Sequence, residues 1–107
     1  MTYELRTYTA APGKMDALME RFRESTIDLF TEHSMTSLGY WTPVGTPDVL
    51  IYLLRHEGDP KENWKAFGAD RRWIDAKSAS ETDGVLAAKI ESVLLEATDL
   101  HPIVEAN

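Results

Sequence analysis

The chain has 107 residues, enough for one domain and too few for two, so residues 1–107 are treated as a single domain. Its net charge of −7 argues against a nucleic-acid or anionic membrane partner, and the absence of cysteine excludes disulfides, thiol catalysis and cysteine-bound metals. No apolar run approaches the ~20 residues of a membrane helix, and no secretion signal is recognisable, so a cytoplasmic location is expected.

The first predicted element is a strand from Thr2 to Thr9, where β-branched and aromatic residues dominate. Because successive side chains of a strand point to opposite sides, these residues divide between two faces. Tyr3, Leu5 and Thr7 fall on one face, and Glu4, Arg6 and Tyr8 fall on the other.

A helix is predicted from Lys14 to His33, after an Ala-Pro-Gly break at residues 11–13. Apolar residues from Met15 to Phe30 recur at helical spacing, so one face of this helix is expected to be buried. Met35 to Val44 forms a second predicted strand, and residues 45–48 form the turn that follows it.

The third predicted strand, Val49 to His56, is apolar on both faces. A strand of this kind is covered from both sides. The helices of one small chain can cover only one face of a sheet, so another element must cover the second face. The sheet of a second copy is the simplest candidate, and the pattern therefore predicts a homodimer.

Two further helices and a last strand complete the chain. Asp59 and Pro60 begin the first of these helices, and a break is expected near Gly68 to Asp70, because Trp64 and Trp73 are out of phase on a straight helix. Asp70 is then expected to cap a short helix. This helix runs from Arg71 to about Ser80, the last strand runs from Ala88 to Thr98, and residues 99–107 form a tail.

The element order is therefore β-α-β-β-α-β, which predicts an α+β, ferredoxin-like fold with an antiparallel sheet. Right-handed crossovers place the first and third strands in the middle of that sheet. The strand that carries Glu4 and Arg6 is then central, where unpaired charges are costly.

Two interpretations of the charged first strand stay open. In the structural one, Glu4 and Arg6 form an ion pair or a dimer contact, because buried charges are usually paired. In the functional one, Arg6 and Tyr8 bind an acidic or phenolic ligand, because such placements concentrate at functional sites.

The three histidines also allow more than one role. His33 is expected on the buried side of the first helix near its C-terminus, where it either caps the helix or acts as a general base or haem ligand. His56 is expected to pair with Glu57 or with solvent, and His101 lies in the tail. No two of them are spaced for a local metal site, so no metal is expected.

Aromatic residues are plentiful, and most are expected in the core. Trp41 and Trp73 are the two that we expect to line a pocket between the sheet and the helices. No Gly-x-Ser-x-Gly, phosphate-loop or dinucleotide-binding pattern occurs, so nucleotide hydrolysis and serine hydrolysis have no support.

Short segments spread over nearly the whole chain carry a resemblance to a known family. The segments are residues 2–8, 12–14, His33, 39–41, 63–67, Asp70, Trp73 and 90–95. Taken in this order, they resemble the NIPSNAP domain. The resemblance implies the dimeric α/β-barrel class, in which the four-stranded sheets of two subunits face each other, and this agrees with the two-faced third strand.

The resemblance implies little about activity, since related dimeric α/β-barrel families include cofactor-independent monooxygenases, isomerases and haem enzymes. Two hypotheses follow. In one, the domain binds a small organic molecule between sheet and helices and oxygenates or isomerises it without a cofactor. In the other, it is a non-catalytic homodimeric module. The expected ligand-binding residues are Glu4, Arg6, Tyr8, His33, Trp41 and Trp73.

Overall fold

A computed structural model describes residues 1–100, so His101 and the rest of the predicted tail lie outside the described residues. Each predicted strand and helix is present, with small shifts at the ends. In chain order they are β1 (Thr2–Ala10), α1 (Met15–Arg21), a π-helical segment (Phe22–Thr26), α2 (Ile27–Glu32), β2 (Met35–Trp41), β3 (Val49–His56), α3 (Pro60–Ala69), α4 (Arg71–Ser80) and β4 (Ala87–Glu96).

The four strands form one sheet in the order β2-β3-β1-β4, with antiparallel pairing between each pair of neighbours. This is the predicted ferredoxin-like arrangement, with β1 and β3 in the middle. Arg6 on β1 lies opposite Tyr52 on β3 and Ser92 on β4, so residues from three strands meet around it.

The predicted long helix is continuous but not regular. Residues 22–26 adopt π-helical geometry between α1 and α2, and the buried Thr26 hydroxyl donates to the carbonyl of Arg21 at 3.3 Å. A π-segment adds a residue to the turn, so it changes which side chains face the sheet beyond it. Spacing measured for an ideal α-helix does not anticipate this change.

The break between α3 and α4 is confirmed, and both helices begin with an aspartate cap. Asp59 accepts from the backbone nitrogen of Lys61 at 2.9 Å, and Asp70 accepts from that of Arg72 at 2.8 Å. Such caps satisfy donors that the first helical turn leaves unpaired.

The second strand ends at Trp41 rather than at the predicted Val44.

The helices pack on one face of the sheet, and the core lies between them. No helix among residues 1–100 combines the length and apolar character that a bilayer crossing requires. Within residues 1–100, no helix packs on the opposite face of the sheet. The central core residues are Leu18, Phe22, Phe30, Met35, Leu50, Tyr52, Leu54 and Phe67.

Candidate functional site

Glu4 lies on the helix-covered face of β1 and is almost fully buried. Its Oε1 accepts from His56 Nε2 and from Trp64 Nε1, each at 2.7 Å. Its Oε2 accepts from Arg6 Nη1 at 2.9 Å and from the hydroxyl of Ser92. Four donors fill the acceptor positions of one carboxylate, so Glu4 has no oxygen lone pair left for a ligand.

The hydrogen bonds also determine the charge of Glu4. Burial by itself raises the pKa of this carboxyl, but the bonds from His56, Ser92, Trp64 and Arg6 outweigh burial and lower the pKa to about 2. Glu4 is therefore ionised at neutral pH. Its role in this geometry is to hold its four partners in place rather than to exchange a proton.

The sequence predicted that His56 pairs with Glu57 or with solvent. The structure instead buries His56 completely beneath the helices. The amide nitrogen of Asn63 donates to the carbonyl of Glu57 at 3.0 Å, which establishes the orientation of that amide. The same nitrogen lies 3.1 Å from His56 Nδ1, so Nδ1 accepts. The ring then carries its proton on Nε2 and donates it to Glu4.

Arg6 is held from several directions. Its Nη1 pairs with Glu4, its Nε donates to the Tyr52 hydroxyl at 2.8 Å, and its Nη2 donates to the Tyr8 hydroxyl at 3.0 Å. The guanidinium also stacks on Trp64, 4.2 Å from the ring centre. Burial lowers the pKa of Arg6, but the two tyrosines and Glu4 outweigh it and raise that pKa, so Arg6 remains charged.

The two tyrosine hydroxyls form a directed chain that ends at Tyr8. Tyr52 is completely buried, and its hydroxyl accepts from Arg6 and donates to the Tyr8 hydroxyl at 3.0 Å. Burial raises the pKa of Tyr52 well above its ordinary value, so it keeps this proton. Tyr8 oxygen thus accepts twice, and its own O–H has no acceptor among residues 1–100.

A cavity of about 320 Å³ opens beside this chain of hydroxyls, between the β1–β4 side of the sheet and helices α3 and α4. Its size lies at the lower end of the range for small-molecule pockets. Four aromatic rings, two arginines and a lysine dominate the lining, and Arg6 and Tyr8 form one end of it. The charged and aromatic lining residues are Arg6, Tyr8, Arg21, Trp64, Phe67, Trp73, Lys77 and Glu81.

Trp41 lies on the opposite face of the sheet from this cavity, contrary to the expectation from sequence. The register of β2 shifts between Ser37 and Gly39, which inserts one residue and turns Trp41 to the side of Ile51. Trp41 is 53% exposed there and covers Gly39, where a Cβ atom would lie 2.4 Å from the indole ring.

His33 does not line the cavity either, although its ring packs edge to face against Phe67 of the lining, with the ring centres 6.1 Å apart. It ends α2, as the structural interpretation expected, but its Nε2 lies 2.8 Å from Asp70 Oδ2 rather than against the last carbonyls of the helix. Hydrogen bonds from Arg72 and, to a smaller extent, from His33 lower the pKa of Asp70. The His33–Asp70 hydrogen bond links the end of α2 to the start of α4. Glu4, Arg6, Tyr8 and Trp73 are the expected site residues that the fold brings together at or beside the cavity.

Sequence reasoning missed several members of the site. The alternation of β3 places Tyr52 on the face of Leu50 and Leu54, and extending it beyond Leu54 adds His56. Helical spacing turns Trp64 inward, but Arg21 and Ser92 had no such signal. Within residues 1–100, no three His, Cys, Asp or Glu side chains are grouped so that they could hold a metal ion.

The antiparallel β2-β3-β1-β4 sheet, with helices on one face and a small cavity between the layers, defines a ferredoxin-like α+β domain. The family is shown by the sequence itself. A NIPSNAP family model matches residues 3–102, so this chain belongs to the NIPSNAP family. No curated protein matches the chain significantly.

Solved structures agree with this assignment. A NIPSNAP family protein with unknown function from Agrobacterium tumefaciens is 22% identical, with a TM-score of 0.77 over 96% of this chain and 93% of that chain. A NIPSNAP domain protein from Burkholderia xenovorans is 20% identical, with a TM-score of 0.78 over 95% and 99%. An antibiotic biosynthesis monooxygenase is 13% identical, with a TM-score of 0.63 over 92% and 99%. At these identities the likeness concerns the fold alone.

Proposed function

We propose that this NIPSNAP domain binds a small acidic or phenolic organic molecule in the cavity between the sheet and helices α3 and α4. The observation that carries the proposal is the Tyr8 hydroxyl, which lines the cavity, accepts from Arg6 and Tyr52, and has no acceptor for its own proton among residues 1–100. A ligand oxygen would supply that acceptor.

The arrangement around Arg6 supports the same class of ligand. Three bonds and the Trp64 ring hold the guanidinium in one position, and such preorganised donors favour an oxygen that carries negative charge. Arg6 has five N–H donors, of which the bonds within residues 1–100 engage three. The aromatic walls suit a planar ligand.

This geometry would serve the first step of a cofactor-independent oxygenation or isomerisation, in which a phenol or enol hydroxyl of the substrate releases its proton to water and becomes a phenolate or enolate oxygen. Arg6 and Tyr8 would stabilise that oxygen, while Glu4 could not act as the base because its oxygens are fully engaged. Bound 4-nitrophenol should therefore show phenolate absorbance at lower pH than free 4-nitrophenol. An unchanged absorbance profile would leave a binding function and remove this chemistry.

The three tryptophans allow a direct test of ligand position, because Trp64 and Trp73 line the cavity and Trp41 lies on the other face of the sheet. We expect phenol, titrated into ¹⁵N-labelled protein, to shift the indole N–H signals of the first two and to leave the signal of Trp41 in place. The W41F and W73F variants would assign the signals.

A shift confined to Trp41 would place phenol on the open face of the sheet and contradict the proposal. Unchanged signals from Trp64 and Trp73 at saturating phenol and at saturating benzoate would contradict it equally. Either result would leave the non-catalytic module as the better account of the domain.

We also propose that the domain forms a homodimer through the open face of its sheet. Apolar side chains cover that face although no helix of residues 1–100 packs on it, and Val93, Leu95 and Trp41 are between 40% and 53% exposed. Burying them against a second copy would stabilise the assembly by roughly 25 cal/mol for each Å² removed from water. The face also includes Leu5, Ile51 and Leu53.

A further inference from the structure

Three aromatic rings form a row along the cavity, from Trp64 through Phe67 to Trp73. The ring centres are 5.5 Å apart in the first step and 4.8 Å apart in the second. All three rings line the cavity, so the row gives it an apolar wall with two distinct ends.

Each end of the row carries an arginine. Arg6 stacks on Trp64 at 4.2 Å, and Arg21 stacks on Trp73 at 5.0 Å from the ring centre. Both arginines line the same cavity. A ligand that lies along the row therefore meets a guanidinium at either end.

The two ends differ in charge. At the Trp64 end, Arg6 is neutralised by Glu4 at 2.9 Å, and the donors left without an acceptor within residues 1–100 are the Tyr8 hydroxyl and two N–H groups of Arg6. At the Trp73 end, Arg21 and Lys77 face the single carboxylate of Glu81, which pairs with Arg21 at 3.1 Å. That end keeps one net positive charge within a chain whose net charge is −7.

Donors at the Trp73 end are also unused. Arg21 is 93% buried, and its Nη1 bonds to Ser80 and Glu81, but its buried Nε has no acceptor in the part of the chain that the structure describes. Lys77 forms no ion pair there either. A buried charged donor without an acceptor is costly, so an anion that engaged this guanidinium after a small rotation would be favoured.

From this asymmetry we infer that the ligand carries two groups: a carboxylate that binds at the Arg21–Lys77 end, and a hydroxyl or enol oxygen that binds at the Tyr8–Arg6 end, with a planar apolar body along the row between them. The inference rests on the proposed function, and it adds the substrate class, a small aromatic or unsaturated hydroxy acid. A ring with a hydroxyl opposite a carboxylate is the simplest compound of this class.

The test compares 4-hydroxybenzoate with phenol, which lacks the carboxylate, using the indole N–H signals of Trp64 and Trp73 to measure both dissociation constants. We expect 4-hydroxybenzoate to bind on the order of tenfold more tightly, which is the effect of one charge-assisted hydrogen bond. The K77Q variant should lose most of this advantage while its affinity for phenol stays the same.

The matched control is K65Q, because Lys65 is exposed on α3 and lies outside the cavity lining. It changes the net charge of the chain equally and should preserve the preference for 4-hydroxybenzoate. The same preference in K77Q and in the unmodified protein would overturn the placement of the carboxylate.

Equal affinities for phenol and 4-hydroxybenzoate would overturn the inference and leave the proposed function in place. If neither compound shifts Trp64 or Trp73, both proposals fail. Higher salt should reduce the advantage of 4-hydroxybenzoate and leave the affinity for phenol unchanged, because Lys77 is exposed and its attraction is screened.

Discussion

His56 Nε2 lies 2.7 Å from the Glu4 carboxylate, although 52 residues separate the two in the chain. This contact joins β3 to β1 within a buried polar network that also receives Trp64 from α3 and Ser92 from β4. Four elements thus meet at one carboxylate. The network matters for function because the same carboxylate positions Arg6 at the cavity.

Glu4 should make the stability of the fold sensitive to acid. Its pKa is lowered from 4.5 to about 2 in the folded chain, so its contribution is complete above pH 4.5 and is lost as the pH falls towards 2. A shift of this size corresponds to about 3 kcal/mol. We expect the free energy of unfolding by urea to fall more steeply over this range in the unmodified protein than in E4Q.

Loss of Glu4 itself should destabilise the fold by about 3–5 kcal/mol at pH 7, because E4Q leaves Arg6 without its charged partner. If E4Q does not fold, the ¹³C signal of the Glu4 carboxyl in the unmodified protein gives the same information. A titration midpoint near 4.5 in that experiment would contradict the network described above.

Arg6 and Tyr8 should respond differently to substitution. R6M removes the only cation bonded to buried Glu4 within residues 1–100 and should cost about 3–5 kcal/mol of stability, so it is a poor test of ligand binding. Y8F leaves the Tyr52 hydroxyl without an acceptor, at a cost of about 1–3 kcal/mol. It should weaken phenol binding about tenfold, as measured from the indole N–H shifts.

The control for Y8F is Y40F. The Tyr40 hydroxyl bonds to Ser37 at 2.7 Å and does not line the cavity, so its loss should leave phenol affinity unchanged. Equal weakening in both variants would indicate a general loss of packing rather than a lost ligand contact.

The two aspartate caps should differ in their contribution to stability. D59A removes the cap of α3 alone and should cost about 1 kcal/mol. D70A removes the cap of α4 together with the bonds to His33 and Arg72, so we expect a larger loss of stability than in D59A. Urea unfolding of both variants measures the difference. If D70A is as stable as D59A, the hydrogen bond between Asp70 and His33 contributes nothing to stability.

The open face of the sheet should hold two copies of the chain together. Sedimentation at micromolar concentration is expected to give a dimer for the unmodified protein and a monomer for V93K, since Val93 lies half-exposed on the apolar face, opposite Leu5 of the central strand β1. V44K is the matched control, because Val44 is fully exposed in the turn after β2. A monomer without any substitution would contradict the proposed interface.

Local patterns in the sequence determined much of this domain. The alternation of β1 placed Glu4, Arg6 and Tyr8 on one face, and the out-of-phase tryptophans located the break at Asp70. Both features depend only on residues that are close together in the sequence. The same patterns established the element order, and the element order with right-handed crossovers implies the sheet topology.

Only the tertiary structure decided which residues complete the site. Three of the four donors to Glu4 come from positions 52, 60 and 88 residues away, and no local pattern specifies such pairs. One inserted residue in β2 sent Trp41 to the other face, because a shift of one residue reverses every side chain beyond it. Strand register and helix packing therefore decided whether the charges on β1 meet partners, and they left one hydroxyl, that of Tyr8, free to face the cavity.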